Sequence, residues 1–186
     1  MKKIAFVIYN QMTTLDFVGV YDPLARLKTM GFIKDLSWEI CAYSSPIQDG
    51  YGLQITPTQA QQDLSAYDLI VLPGGINTLA LLQDTTFLGW LGTARNCPLK
   101  ASVCSGALLF GKLGFLKGKK ATTHPNFFNE LKPFCAEVLT DRIVEEGDVI
   151  TARGVTSGVD LGLYLCEKFA GKEVREKIAK QMDYKK

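Results

Sequence analysis

The stretch Pro98-Leu99-Lys100-Ala101-Ser102-Val103-Cys104-Ser105-Gly106-Ala107-Leu108-Leu109-Phe110-Gly111 changes its period at the centre. Up to Cys104 it reads as a short apolar strand, and beyond it as an Ala/Leu-rich helix. Ser105-Gly106-Ala107 keep the junction small. A cysteine followed by side chains of that size predicts a sharp strand-to-helix turn with the sulfur exposed at its top, the geometry serine hydrolases use for their nucleophile. The partial positive charge of a helix N-terminus there favours the thiolate. The competing reading is a buried structural cysteine, since free Cys is among the most buried residue types.

Working outward, strand and helix patterns alternate. Lys3 to Tyr9 reads as a buried strand of nearly continuous apolar residues, as parallel sheets require. After the polar loop Asn10 to Thr14, where Thr13 or Thr14 is placed to cap, Leu15 to Met30 has helical spacing, with Pro23 predicting a kink or fresh start. Ser37 to Ser44 reads as a strand, and Asp49-Gly50 as a turn between extended pieces near Ile47 and Leu53 to Ile55. The clearest strand, Asp68 to Leu72, runs into Pro73-Gly74-Gly75, whose glycines let backbone approach a ligand closely. Helices are expected at Asn77 to Leu82 and Thr86 to Arg95. Beyond the elbow come a short strand at Lys120 to Thr123, a short helix at Asn126 to Leu131, a hairpin from Arg142 to Ala152 turning at Gly147-Asp148, and helices at Val155 to Ala170 and Glu173 to Met182. This order predicts an α/β sandwich on a mostly parallel sheet, with ligands bound beyond the carboxyl ends of the strands. The loops after Tyr9, Leu72, Val103 and Thr123 are expected to converge there.

With 186 residues the chain fits one domain, 1–186, large enough to bury about 70% of its unfolded surface. Its net charge of +2 comes from 21 basic and 19 acidic residues with no basic stripe, which argues against a nucleic-acid partner. The apolar run after Lys2-Lys3 is too short for a signal sequence, and no run of about 18 apolar residues predicts a membrane span. A cytoplasmic protein is expected. Five cysteines and a single histidine, His124, with no Cys-x-x-Cys pair, predict neither a zinc site nor a disulfide framework. No metal or other cofactor is expected. Cys41 and Cys166 read as small core residues.

A thiolate needs a proton partner and donors for developing negative charge. The natural donors are the N–H of Ser105 and an N–H of Gly74 or Gly75. Asp16 is the candidate proton partner. Within reach of Cys104 it would share one proton with the thiol and titrate with it as a unit. Alternatively it is an acidic residue placed in a first helical turn by the helix dipole. His124 is either a base for Cys104 or, as preferred here, part of the substrate pocket, where Asn77 and Thr123 are also placed. Arg153 reads as an ordinary surface charge.

Five segments together resemble the DJ-1/PfpI (ThiJ-like) superfamily: Ala5-Phe6-Val7-Ile8 with Leu15-Asp16-Phe17-Val18-Gly19, then Val71-Leu72-Pro73-Gly74-Gly75, Ser102-Val103-Cys104-Ser105-Gly106-Ala107, Ala121-Thr122-Thr123-His124, and Thr151-Ala152-Arg153-Gly154-Val155-Thr156-Ser157-Gly158-Val159-Asp160. The resemblance is strongest to the isonitrile hydratase-like branch and the amidase-like domains of some transcription regulators. That branch has an Asp, here Asp16, where DJ-1 itself has Glu, and a small hydroxyl residue, here Ser105, where PfpI-type proteases have His. Val20 and Asp22 stand where the branch often has Pro and Glu, and Ser105 replaces a frequent Thr. The resemblance implies a flavodoxin-like three-layer sandwich, as in class I glutamine amidotransferases, and a homodimer. Leu15 to Leu27 and the C-terminal helices are the candidate contact segments. It further implies a cysteine-dependent hydratase or hydrolase of small molecules, most concretely an isonitrile hydratase, a lyase in which Cys104 attacks and Asp16 relays the proton. Glyoxalase- or deglycase-like carbonyl chemistry, or a cysteine redox sensor without turnover, are the alternatives.

Overall fold

The computed structural model describes residues 3–185. In chain order the elements are β1 (Lys3–Ile8), α1 (Thr14–Thr29), β2 (Ser37–Ala42), β3 (Ile47–Gln48), β4 (Gln54–Ile55), β5 (Gln59–Ala60), β6 (Leu69–Leu72), α2 (Thr78–Leu81), α3 (Thr85–Gly92), β7 (Leu99–Val103), α4 (Gly106–Lys112), β8 (Lys120–Ala121), α5 (Phe128–Leu131), β9 (Glu137–Val138), β10 (Ile143–Glu146), β11 (Val149–Ala152), α6 (Ser157–Ala170) and α7 (Lys172–Gln181). The central sheet has the order β10-β11-β7-β6-β1-β2-β5, parallel throughout except for the antiparallel edge pair β10–β11. Phe6 pairs with Ile40 on one side and Val71 on the other. β6, β7 and β11 are buried along their whole length, which is why their sequences show apolar runs rather than alternation. Helices flank the sheet, giving the α/β sandwich that the alternating pattern predicts.

Two glycines set the position of the first helix. A Cβ on Gly19 of α1 would meet backbone atoms of Gly158 and Val159 at 3.2 Å, so α1 and α6 cross with their backbones almost touching. Pro23 makes no fresh start: α1 runs through it from Thr14 to Thr29. Lacking an N–H, it leaves the Gly19 carbonyl unbonded within the helix. Its ring and that carbonyl both lie against Gly162, where a Cβ would come within 2.8 Å of the ring. Neither Thr13 nor Thr14 caps α1. The Thr14 hydroxyl donates instead to Asp49, whose other carboxyl oxygen accepts the N–H groups of Tyr51 and Leu53 at 2.8 Å. That anchors the β3–β4 hairpin beside the end of β1. Cys41 and Cys166 are fully buried.

Candidate active site

Cys104 ends β7 and turns into α4 with φ +57°, a left-handed conformation rarely taken by a residue with a side chain. The surroundings hold it there. Its N–H donates to the Ala152 carbonyl at 3.0 Å, and its own carbonyl accepts the Thr123 hydroxyl at 2.8 Å. Only glycine fits beside it: a Cβ on Gly74 would meet Ser105 N at 2.5 Å, and one on Gly106 would meet the Pro73 carbonyl oxygen at 2.7 Å. Strain of this kind persists where the neighbouring structure over-determines it.

The loop after β1 and the loop after β6 are zipped together above this turn. Thr13 N–H donates to Gly74 O and Ile76 N–H to Gln11 O, both at 2.9 Å, and Met12 and Gly75 form a β-bridge. This brings Asp16, in the first turn of α1, under the sulfur. Asp16 is fully buried, and its Oδ2 accepts the Gly74 N–H at 3.0 Å. Its Oδ1 has no hydrogen-bond partner, and the carboxyl as a whole interacts with the Cys104 thiol. Burial pushes the Asp16 carboxyl up to about 7, against the Gly74 N–H and the thiol, which both favour the charged form. Burial, and then the Asp16 charge, push the Cys104 thiol up to about 12, against the N–H and hydroxyl of Ser105. The pair therefore holds one proton across a wide range above neutrality and titrates as a unit.

Two expectations change. The N-terminus of α4 does not make the thiolate the resting form, because a seven-residue helix cannot offset the loss of water and a buried carboxylate. Gly74 and Gly75 do not present free N–H groups, since the first is bonded to Asp16 and the second to Ser105 Oγ at 3.1 Å. Their task is close packing and holding those two side chains. The N–H of Ser105 does point to the Cys104 sulfur.

The sulfur is not exposed as expected, because the packed loops after β1 and β6 cover the turn: Cys104 and Ser105 are both buried, at the foot of a cleft of about 370 Å³ that they line. His124 lines it, with Nδ1 accepting the Asn126 N–H at 3.3 Å, which leaves Nε2 as its hydrogen-bearing nitrogen in the neutral ring. Thr13, Tyr51, Ile76, Asn126, Phe127 and Val155 complete the wall, and none of them stands out in the sequence. Asn126 and Phe127 lie in a 3-10 turn leading into α5 and the others on loops, where Asp49-Gly50, marking the hairpin turn, pointed toward Tyr51. Thr123, fully buried, supports the elbow from behind rather than facing this cleft. Asn77 lines a separate cavity of about 140 Å³ with Tyr9, Tyr43 and Phe87. Arg153 donates to the Thr140 carbonyl and stacks near Phe128, apart from the lining. Among the described residues no cluster of His, Cys, Asp or Glu is arranged to hold a metal ion, and no helix is long and apolar enough to cross a membrane.

The DJ-1/PfpI family profile matches residues 2–168. Isonitrile hydratase of Pseudomonas putida is 32% identical over 183 residues, covering 98% of this chain and 78% of that protein. Protein DJ-1alpha of Drosophila melanogaster is 31% identical, covering 90% and 77%. A solved structure of a ThiJ/PfpI family protein from Pseudomonas syringae superposes with a TM-score of 0.88 at 31% identity, over all of this chain and 76% of that one.

Proposed function

The chain belongs to the DJ-1/PfpI family, and from that membership and the elbow geometry we propose that it is a cysteine-dependent hydratase of small molecules, with an isonitrile as substrate. The observation that carries the proposal is a fully buried Asp16 carboxyl, one oxygen without a hydrogen-bond partner, interacting with the Cys104 thiol at the foot of an open cleft. An enzyme with this pair can hold a proton on either atom and move it without calling on water.

The terminal carbon of an isonitrile accepts a proton and is then electrophilic. Asp16, as carboxylate, takes the Cys104 proton and passes it to that carbon while the sulfur bonds to the same atom. The S–H bond is replaced by a C–H and a C–S bond, giving a thioimidate, R–N=CH–S–Cys104. Water drawn to the carbon by the Asp16 carboxylate adds across C=N, and the thiol then leaves with its proton. The product is the N-substituted formamide, so substrate plus one water balances product. The Ser105 N–H stabilises negative charge on the sulfur as it enters and leaves. The likeness to isonitrile hydratase across 98% of the chain supports this substrate class.

The high thiol pKa weighs against a redox sensor, because reactive sensor cysteines are accessible thiolates. The test is turnover of a simple isonitrile, cyclohexyl isocyanide, against methylglyoxal, by wild type, Cys104→Ala and Asp16→Asn. Formamide production lost in both variants is expected. Turnover of the isonitrile by Cys104→Ala at the wild-type rate sinks the proposal.

The same reading includes a homodimer. Leu24 and Leu27 lie in the core and cannot serve as contacts, whereas Leu15 and Val18 of α1 keep 45% and 36% of their surface exposed. A sedimentation mass twice that of the chain, falling to one in Leu15→Glu/Val18→Glu, is the expected result.

A further inference from the structure

Three hydroxyl groups lead from the nucleophile into the protein. Ser105 Oγ lies 2.9 Å from Thr78 Oγ1, and Thr78 Oγ1 lies 3.0 Å from Tyr9 OH. All three residues are buried, so bulk water does not compete for these protons. The far end fixes the direction of the chain. Tyr9 OH donates to the Pro73 carbonyl at 3.0 Å, and a carbonyl can only accept. A hydroxyl has one proton, so Thr78 must donate to Tyr9, and Ser105 donates to Thr78 at 2.9 Å in preference to the Gly75 carbonyl at 3.4 Å. Ser105 Oγ meanwhile receives the Gly75 N–H at 3.1 Å. In this arrangement Ser105 has no proton left for Cys104, although its hydroxyl lies close enough to the sulfur to favour the thiolate.

We propose that Tyr9 and Thr78 are positioning residues that hold the Ser105 proton away from the resting thiol and release it to the sulfur when negative charge forms there. Release needs no proton transfer. Each of the three O–H bonds rotates, so that Tyr9 donates to Thr78, Thr78 to Ser105, and Ser105 to Cys104 Sγ, while the Pro73 carbonyl gives up its hydrogen bond. The resting direction leaves the thiol to Asp16 alone, and the reversed one shields the thiolate after Asp16 has taken its proton. The titratable groups facing Cys104 are Asp16 from α1, Tyr9 at the end of β1 and His124 across the cleft; of these Asp16 carries the charge that opposes the thiolate. This mechanism rests on Cys104 being the nucleophile of the proposed reaction, but its test needs no substrate.

Tyr9→Phe removes the acceptor for the Thr78 proton. The Thr78 proton then turns to Ser105, and the Ser105 proton to the sulfur rather than to the more distant Gly75 carbonyl at 3.4 Å, so the change raises the reactivity of Cys104 although it deletes a buried hydroxyl more than one residue away. Wild type gives the thiolate that hydrogen bond only by reversing the chain and breaking the Tyr9 bond to the Pro73 carbonyl; sparing this cost lowers the pKa by about one pH unit and raises the thiolate fraction about tenfold. Each thiolate is then about threefold less nucleophilic, leaving a net gain of about threefold. The measurement is the rate of Cys104 alkylation by iodoacetamide below its midpoint, read at that residue by peptide mass spectrometry. Tyr9→Phe and Thr78→Val are both expected to accelerate it, Thr78→Ser to leave it as in wild type, and Ser105→Ala to slow it. In Tyr9→Phe/Ser105→Ala the acceleration is expected to vanish relative to Ser105→Ala. An unchanged or slower rate in both Tyr9→Phe and Thr78→Val overturns the proposal, and so does acceleration that survives in the double variant, which would mean only a looser site. Because alkylation reports on the thiol, a protein that alkylates as expected yet hydrates no isonitrile would refute the substrate and leave the hydroxyl chain standing.

Discussion

The backbone N–H of Gly74 donates to Oδ2 of Asp16 at 3.0 Å and so fixes a buried carboxyl that also interacts with the Cys104 thiol. The other oxygen, Oδ1, is buried with no hydrogen-bond partner. A carboxyl so placed works as a base only after losing its own proton.

The rate of hydration should therefore rise with pH through about 7, where Asp16 ionises. Below that value both members of the pair are protonated and the thiol has nowhere to send its proton. The expected profile of kcat/KM is a single ascending limb centred near 7, absent from the residual activity of Asp16→Asn. A profile flat from pH 5 to 9 would remove Asp16 from the reaction.

The same burial has a cost in stability. The folded-state pKa of Asp16 lies above its ordinary value of 3.8, so the unfolded chain releases this proton first as pH rises. The native state is unburdened below about pH 4, and the penalty grows to its full size above about 7. It amounts to something on the order of 4 kcal/mol. Asp16→Asn, which can still accept the Gly74 N–H, should be more stable than wild type at pH 8 and equal to it at pH 4. Denaturant unfolding at the two pH values checks this.

Gly19→Ala tests the helix crossing that seats Asp16. The new methyl would lie 3.2 Å from Gly158 and Val159 backbone atoms, which cannot rotate aside. We expect a loss of about 1–2 kcal/mol in stability. A larger effect is expected on turnover, about tenfold or more, because α1 must move and carries the carboxyl with it. Parallel thermal melts and assays separate the two.

His124→Asn retains an acceptor for the Asn126 N–H while removing the ring from the cleft wall. If His124 serves the pocket, KM should rise several-fold with kcat and the limb near 7 preserved. A base role would instead collapse kcat.

Much of this was legible from the chain because the strands that matter are buried on both faces. The apolar runs of β1, β6 and β7, the small residues after Cys104, and the Gly-Gly pair each have one economical explanation. Asp16 could be paired with Cys104 because both fall at the carboxyl edge. What the sequence hid were relationships made across loops. Gly74 and Gly75 read as anion donors until their N–H groups are seen bonded to Asp16 and Ser105. Asn77, one residue from α2, turns into a different cavity from Ile76. The direction of the thiol pKa was hidden too, since it depends on how deeply the sulfur and its acidic neighbour are covered. Lys100 sits fully inside β7 because Asp148 at the β10–β11 turn and the Cys97 carbonyl both meet its ammonium group at 2.8 Å, a partner 48 residues away that spacing does not reveal.

The hardware around the sulfur is the Asp16 carboxyl, main chain and small hydroxyls, whereas Tyr51, Ile76, Asn126 and Phe127 line the opening from three separate connections, one between two strands and two between a strand and a helix. Selectivity can thus be rewritten at the mouth, one loop at a time, with the reactive core left as it is. An engineer seeking a new substrate for this scaffold should randomise those four positions and touch nothing beneath them.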